Sequence, residues 1–287
     1  MEYPVFDIRN YKETKIMTID EIKSRLQEIL TFEKMYITTN PGRKNILVYR
    51  HPVTYEICIV KILHRKEEHK IIKELLDTID EMEDSCKKNF VRGLMLPGYF
   101  LMEYWHATIS HFLAFDFLHF SETKWEIEKS KMMYVTLKGM DCLLQKGRYY
   151  TDLKADNVLV RYQDSDPQKK LSYAITDLYA GKADDKIYWT FPPPVDHGVA
   201  SATIWGVIVM ILQVWTITPN SGKFKMINDK RVMYDKLHKT IPLDVLLHVM
   251  KLYDICDMEL NQKSALDVLK FSRDFFRKRI DTYLAKK

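Results

Sequence analysis

Between Thr203 and Ile217 the chain reads TIWGVIVMILQVWTI, without one charged side chain. A helix that is apolar on every side has no face to turn toward water, so the rest of the fold must enclose it. The run is short of the ~20 residues that span a bilayer. The expectation is a fully buried core helix and no membrane partner. A chain of 287 residues can build a core around it.

The text before this run changes texture twice. Thr18 to Glu33 predicts a helix: Thr18 can cap it, Glu21 stands three residues on as in a capping box, and Ile22, Leu26 and Leu30 share a face. From Met35 to Leu63 three strands are predicted, MYITT, NILVYR and TYEICIVKIL, separated by Asn40-Pro41-Gly42 and His51-Pro52. Glu67 to Glu83 predicts a charged helix burying Ile71, Leu75, Leu76 and Ile79. GYFLMEY is a further strand, after which the chain is mainly helical except for a strand pair, DNVLVRY with KLSYAIT. Strands and helices that segregate in this way predict an α+β fold of two lobes. The expected boundaries are a helical extension over 1–33, a small lobe over 34–103 and a large lobe over 104–287.

Four cysteines, Cys58, Cys86, Cys142 and Cys256, lie far apart with no CxxC pair. They read as reduced core thiols, and the spacing gives no zinc site. The opening MEYPVFDIRNYK lacks the apolar stretch of a secretory signal. Together these predict an intracellular protein, cytoplasmic or nuclear. A formal net charge of +5 suits an acidic ligand such as a nucleotide and makes no case for direct nucleic-acid binding.

Chemistry concentrates in Tyr150 to Val160, YTDLKADNVLV. This segment resembles the catalytic loop of protein kinases, HRDLKxxNxL. The resemblance implies that Asp152 orients the acceptor hydroxyl, that Lys154 offsets charge on the transferred phosphate and that Asn157 holds a metal ion. Asp177, closing the apolar strand AITDLY, is similar to the Asp of the kinase DFG segment and would be the second metal ligand. Cys58-Ile59-Val60-Lys61 resembles the VAIK strand. A lysine amid apolar residues is expensive to bury unless paired, and a phosphate with a carboxylate would satisfy it. The carboxylate expected for Lys61 is Glu74 on the next helix, with Glu68 and Glu81 as the other candidates. Phe100-Leu101-Met102-Glu103-Tyr104 resembles the kinase hinge, which implies Met102 beside an adenine and the backbone of Glu103, Tyr104 and Trp105 along the purine edge. Trp205 to Val209 resembles the core helix of the kinase large lobe. The resemblance spans about residues 35 to 270, with its motifs in family order.

The pattern also has gaps. The glycine-rich phosphate loop is reduced to Gly42, with Arg43 and Lys44 beside it. Tyr150-Thr151 replaces His-Arg, Tyr179 replaces the glycine after the metal-binding Asp, Pro192-Pro193-Pro194 replaces APE, and Ser201 aligns with the core-helix Asp. These losses argue against a phosphorylation switch and remove no reacting group. The trimmed, lysine- and isoleucine-rich text is similar to that of kinases of large DNA viruses such as the baculovirus protein kinase, which would put the protein in a host cell.

The resemblance therefore implies a serine/threonine protein kinase that uses ATP with Mg2+ or Mn2+, acting on a protein substrate, basic proteins among them. Two other readings stay open: a pseudokinase serving as a nucleotide- or protein-binding scaffold, and a small-molecule phosphotransferase. The last segment, Leu266 to Lys287, is a basic amphipathic helix whose Phe275, Phe276, Ile280, Tyr283 and Leu284 need a partner. Its own lobe and a homodimer seam are the two candidates, with an acidic docking partner a third.

Overall fold

A computed structural model of the chain describes residues 15–31, 46–51, 53–115, 120–163, 170–177, 190–218 and 224–285. It is an α+β structure that divides into two units, Met1–Asp77 with Val91–His106, and Thr78–Phe90 with Ala107–Lys287. The expected boundaries differ in two ways. The N-terminal helices belong to the same unit as the sheet, and residues 78–90 belong to the large unit.

In the first unit the described strands β1 (Ile46–Arg50), β2 (Ile57–Ile62), β3 (Gly93–Leu96) and β4 (Tyr99–Glu103) form one antiparallel sheet in the order β1-β2-β4-β3. The expected strand MYITT lies outside the described residues. Tyr49, Cys58, Val60 and Leu101 all point to one face, where they meet Met17, Ile22 and Ile29 of the N-terminal segment. Because successive strand residues alternate faces, Lys61 belongs to the other face.

The N-terminal helix is two short ones, α1 (Ile19–Ser24) and α2 (Leu26–Thr31). The capping box forms as expected, with the Glu21 amide donating to Thr18 Oγ1 at 3.3 Å and the Thr18 amide donating to Glu21 Oε2 at 2.8 Å. The break comes at Arg25, whose guanidinium reaches the buried Glu56 carboxylate at 2.8 Å. The break rotates the second helix, so Ile29 is buried and Leu30 is exposed, the reverse of the expected face. α3 runs Lys66–Asp80, where Leu75 and Ile79 are buried as expected, Ile72 joins them, Leu76 is half-buried and Ile71 is exposed.

The second unit holds α4 (Asp84–Lys87), β5 (Ala107–Thr108), α5 (Ile109–Phe115), α6 (Glu122–Gln145), β6 (Val158–Gln163), β7 (Lys170–Ile175), α7 (Gly198–Thr216), α8 (Lys230–Leu237), α9 (Leu243–Cys256) and α10 (Gln262–Leu284). β5, β6 and β7 form a small antiparallel sheet. α7 is the apolar run. It is long and apolar enough to cross a membrane by length and composition, and 89% of its apolar window is buried inside this unit. α6, α9 and α10 are among its neighbours.

α10 packs along α6 and α7 with Leu269 and Phe276 fully buried. Phe275 stacks on the His248 ring of α9 at 4.2 Å. Most of the apolar stripe is thus taken up by its own unit, and Phe271 and Leu284 stay exposed. A buried charge cluster reinforces this packing. Arg279 on α10 reaches Glu126 on α6 at 2.5 Å and also pairs with Asp244, while Glu126 pairs with Lys129 and accepts from the Trp215 indole at 3.1 Å. Burial works to raise the Glu126 pKa, but Lys129 and these hydrogen bonds outweigh it and hold the carboxyl below its ordinary value.

The expectation of four reduced thiols fails. Cys86 on α4 and Cys142 on α6 form a disulfide, with Cα atoms 6.0 Å apart across 56 residues of sequence. The packing of α4 on α6 brings them within bridging distance, which no local spacing could show. Cys58 and Cys256 are free and buried, and burial pushes both thiols up to about 12.

Candidate active site

The loop after α6 carries Asp152, Lys154 and Asn157, the last closing a single 3-10 turn, Ala155–Asn157. The Asp152 carboxylate is the hub. Lys154 Nζ lies 2.6 Å from Oδ2, Asn157 Nδ2 lies 3.4 Å from the same oxygen, and the Thr190 amide donates to Oδ1 at 2.6 Å. Lys154 Nζ also reaches the Thr190 hydroxyl at 2.5 Å. Asn157 is almost fully buried and donates to the Asp152 carbonyl at 2.9 Å. Its amide oxygen, Oδ1, is buried and has no hydrogen-bond partner among the described residues.

Asp177 is tied to this loop through the backbone. The Thr176 amide donates to the Asn157 carbonyl at 2.9 Å, one residue before Asp177. Upstream, the Ile175 amide donates to the Asn89 carbonyl at 2.8 Å. Gly139 of α6 makes room for this strand end, because a Cβ there would sit 2.7 Å from Ile175 Cδ1. Asp177 has a left-handed φ of 54°, a conformation Asp tolerates better than most residues. The Tyr150 hydroxyl donates to the carbonyl of Thr176 at 2.8 Å and approaches that of Asp177 at 3.3 Å. Burial, with the charges of Asp177 and Asp152 adding to it, raises the Tyr150 phenol well above its ordinary value, so it stays a donor.

α7 supports the loop from beneath. At Gly206 a Cβ would meet Leu153 Cβ at 3.0 Å and the Thr151 carbonyl at 3.6 Å, so glycine lets the loop lie on the helix. One heptad on, Gln213 Oε1 accepts from the Ala155 amide at 2.7 Å. The Trp205 indole donates to the Phe191 carbonyl at 3.0 Å and holds the segment that carries Thr190. Ser201, the residue aligned with the core-helix Asp, instead bonds Met258 and Leu260.

In the first unit, Lys61 Nζ lies 3.4 Å from Glu68 Oε1, both side chains at most 15% exposed. The expectation of Glu74 is corrected here. Only Leu63–Arg65 separate β2 from α3, so the helix turns back at once and hangs its first turn over Lys61. Glu74, nearly two turns on, is more exposed and pairs with Lys70 at 3.9 Å. Met102 is buried in β4 opposite Ile59, two residues from Lys61 on the neighbouring strand, so Lys61 and Met102 share one sheet face. Glu103 ends β4 opposite Cys58, Tyr104 is buried and Trp105 is half-buried. Gly42 lies outside the described residues.

Two residues of the site escape a sequence reading. Thr190 carries no local pattern. Gln213 carries one: a lone amide inside an uncharged buried helix must find a hydrogen-bond partner. Compared with protein-family models and with curated proteins, the chain matches none.

Proposed function

We propose that this chain is an ATP-dependent phosphotransferase that passes the γ-phosphoryl group to a serine or threonine hydroxyl of a protein, on a two-lobed protein-kinase fold. The observation that carries the reading is the Asp152–Lys154–Asn157 cluster with the Asn157 Oδ1 left open. Buried amide oxygens without a donor are rare. An oxygen donor beside a backbone-linked carboxylate, Asp177, suits a hard divalent cation such as Mg2+ or Mn2+.

Asn157 and Asp177 would hold that ion, which would supply positive charge to neutralise the phosphates. The remaining work belongs to the chain. Asp152 accepts the hydrogen bond of the incoming hydroxyl and takes its proton as the new P–O bond forms. Lys154, held by Asp152, offsets charge on the oxygens of the moving phosphoryl group. Lys61, oriented by Glu68, neutralises the phosphates that stay behind. Thr190 fixes both Asp152 and Lys154, and Asp152 Oδ1 keeps a second lone pair for the acceptor hydroxyl.

The test is transfer of labelled phosphate from ATP to a basic protein, with Mg2+ or Mn2+, by wild type and Asp152→Asn. Labelling by wild type alone is the expected result. Equal labelling, or none from either, overturns the reading. One observation favours a second reading, a binding scaffold without transfer: both Asp152 oxygens are engaged by the chain's own groups. That reading predicts nucleotide-dependent thermal stabilisation with no labelling.

A further inference from the structure

We infer that Gln213, in the last turn of the buried helix α7, is a positioning residue that holds the loop bearing Asp152, Lys154 and Asn157 in its working shape. The inference rests on the phosphotransferase reading. It begins with a polar group where the sequence wants none. Gln213 is 3% exposed and is the one side-chain amide in α7, its neighbours Met210, Ile211, Leu212 and Val214 being buried and apolar. An amide buried there is costly unless bonded.

Its bond is to the backbone. Ala155 is fully buried and begins the 3-10 turn, where an amide N–H has no partner within the turn. Gln213 Oε1 accepts it at 2.7 Å. Because the partner is an N–H, the amide must present its oxygen. Lys154 and Asn157 flank this point, and the Asn157 amide closes the turn on the Lys154 carbonyl at 2.9 Å. Losing the Gln213 bond would free the N-terminal end of that turn and move the two side chains that meet Asp152.

The helix supplies two contacts on one face. Gly206 and Gln213 are seven residues apart, about two turns, and so point the same way. Gly206 lets Thr151 and Leu153 come close, and Gln213 ties Ala155 down. Asp152 lies between the two residues that meet Gly206, and Lys154 lies between the two supports. The helix thus sets both the height and the twist of the loop, without touching any group that would react.

The test compares Gln213→Met, which keeps shape and loses the acceptor, with Gln213→Glu, which keeps a carbonyl-type acceptor. Each is read by steady-state transfer kinetics, melting temperature and amide hydrogen exchange of the peptide over residues 152–158. Gln213→Met is expected to lower kcat about 10- to 100-fold with KM for ATP little changed, and to speed exchange in that peptide alone. Gln213→Glu is expected to recover most of the loss. Wild-type kcat and exchange in Gln213→Met would overturn the inference. So would faster exchange across the whole unit with a collapsed melting temperature, which marks a merely structural role. If wild type itself transfers no phosphate, the functional reading fails separately. The exchange arm then still decides whether Gln213 holds the loop.

Discussion

The hydroxyl of Tyr150 donates to the carbonyl of Thr176 at 2.8 Å, joining two segments of the site that are 26 residues apart in sequence. Tyr150 is almost fully buried, so its loss cannot be made good by water. Tyr150→Phe removes the hydroxyl, keeps the ring and leaves a partly buried carbonyl without that donor. The expected cost is about 1–3 kcal/mol of stability. Metal-dependent nucleotide binding should weaken as well, because Asp177 follows the freed carbonyl. Calorimetric unfolding together with nucleotide titration at two Mg2+ concentrations checks it. A variant with wild-type values in both would show that the contact orients nothing.

Asp177 and Asp152 should fail differently. Asp177→Ala is expected to weaken Mg2+-dependent stabilisation by ATP and the transfer rate together, since its carboxylate would hold the ion. Asp152→Asn should lower kcat by orders of magnitude while leaving nucleotide affinity nearly intact. Parallel thermal-shift and labelling series separate the two patterns, and identical behaviour of both variants would refute the division of roles.

The disulfide makes a prediction that needs no assumption about activity. Cys86–Cys142 closes a long loop and fastens α4 to α6. Such a link stabilises by about 2–4 kcal/mol, chiefly by restricting the unfolded chain. Wild type should melt several degrees lower with a thiol reductant present, and Cys86→Ser should be low and insensitive to reductant. Thiol titration of the denatured, unreduced protein should find two reactive thiols, Cys58 and Cys256. Finding all four would sink the idea.

Acid should weaken the large unit through His248. Burial first, then the charge of Lys251, lowers this imidazole from 6.5 to about 4, against a smaller opposing pull from Asp244. The ring stacks on Phe275 and bonds the Ser272 hydroxyl at 3.1 Å. Between those two pH values the unfolded chain binds the proton and the folded one does not. Stability from this group is therefore whole above about pH 6.5 and falls as pH drops toward 4, by up to roughly 3 kcal/mol. Denaturant unfolding at stepped pH should show that slope in wild type and a shallower one in His248→Gln. Equal slopes would mean another group carries the acid response.

How far the chain could be read in advance differs by feature, and the reason is range. The Thr18–Glu21 capping box is local in sequence, and it formed where Thr-x-x-Glu stands. The buried helix followed from its own composition. The face of α2 did not follow, since a break at Arg25 exchanged Leu30 for Ile29, while on α3 Leu75 and Ile79 are buried as read and only Ile72 takes the place of Ile71. Arg25 breaks the helix where it meets Glu56, which lies far along the chain, and no window around Arg25 contains that partner. The disulfide and Thr190 were hidden for the same reason. Asp152, Lys154 and Asn157 fall within six residues and were legible as a group, whereas the polar contact that supports them comes from Gln213.

The partner of Lys61 is the sharpest case, because three carboxylates on or just beyond one helix were candidates and the geometry chooses between them. Glu68 lies on the first turn of α3, 3.4 Å from the ammonium, and Glu74 is turned toward Lys70. Both carboxylates sit on the same helix, so intrinsic helix propensity changes alike in Glu68→Gln and Glu74→Gln, and only the first-turn Glu68 also meets the helix dipole. Glu68→Gln takes a counter-charge from a lysine that is 13% exposed. It should therefore reduce transfer by tenfold or more, on the order of 1.4 kcal/mol in the barrier. Glu74→Gln removes a half-exposed helical pair worth a few tenths of a kcal/mol and should leave the rate within about twofold. Charge restoration sharpens the comparison: Glu68→Asp keeps the carboxylate on a shorter arm and should fall between wild type and Gln. If Glu74→Gln proves the slower enzyme, α3 engages Lys61 through its third turn during catalysis, and the first-turn pair belongs only to the resting form.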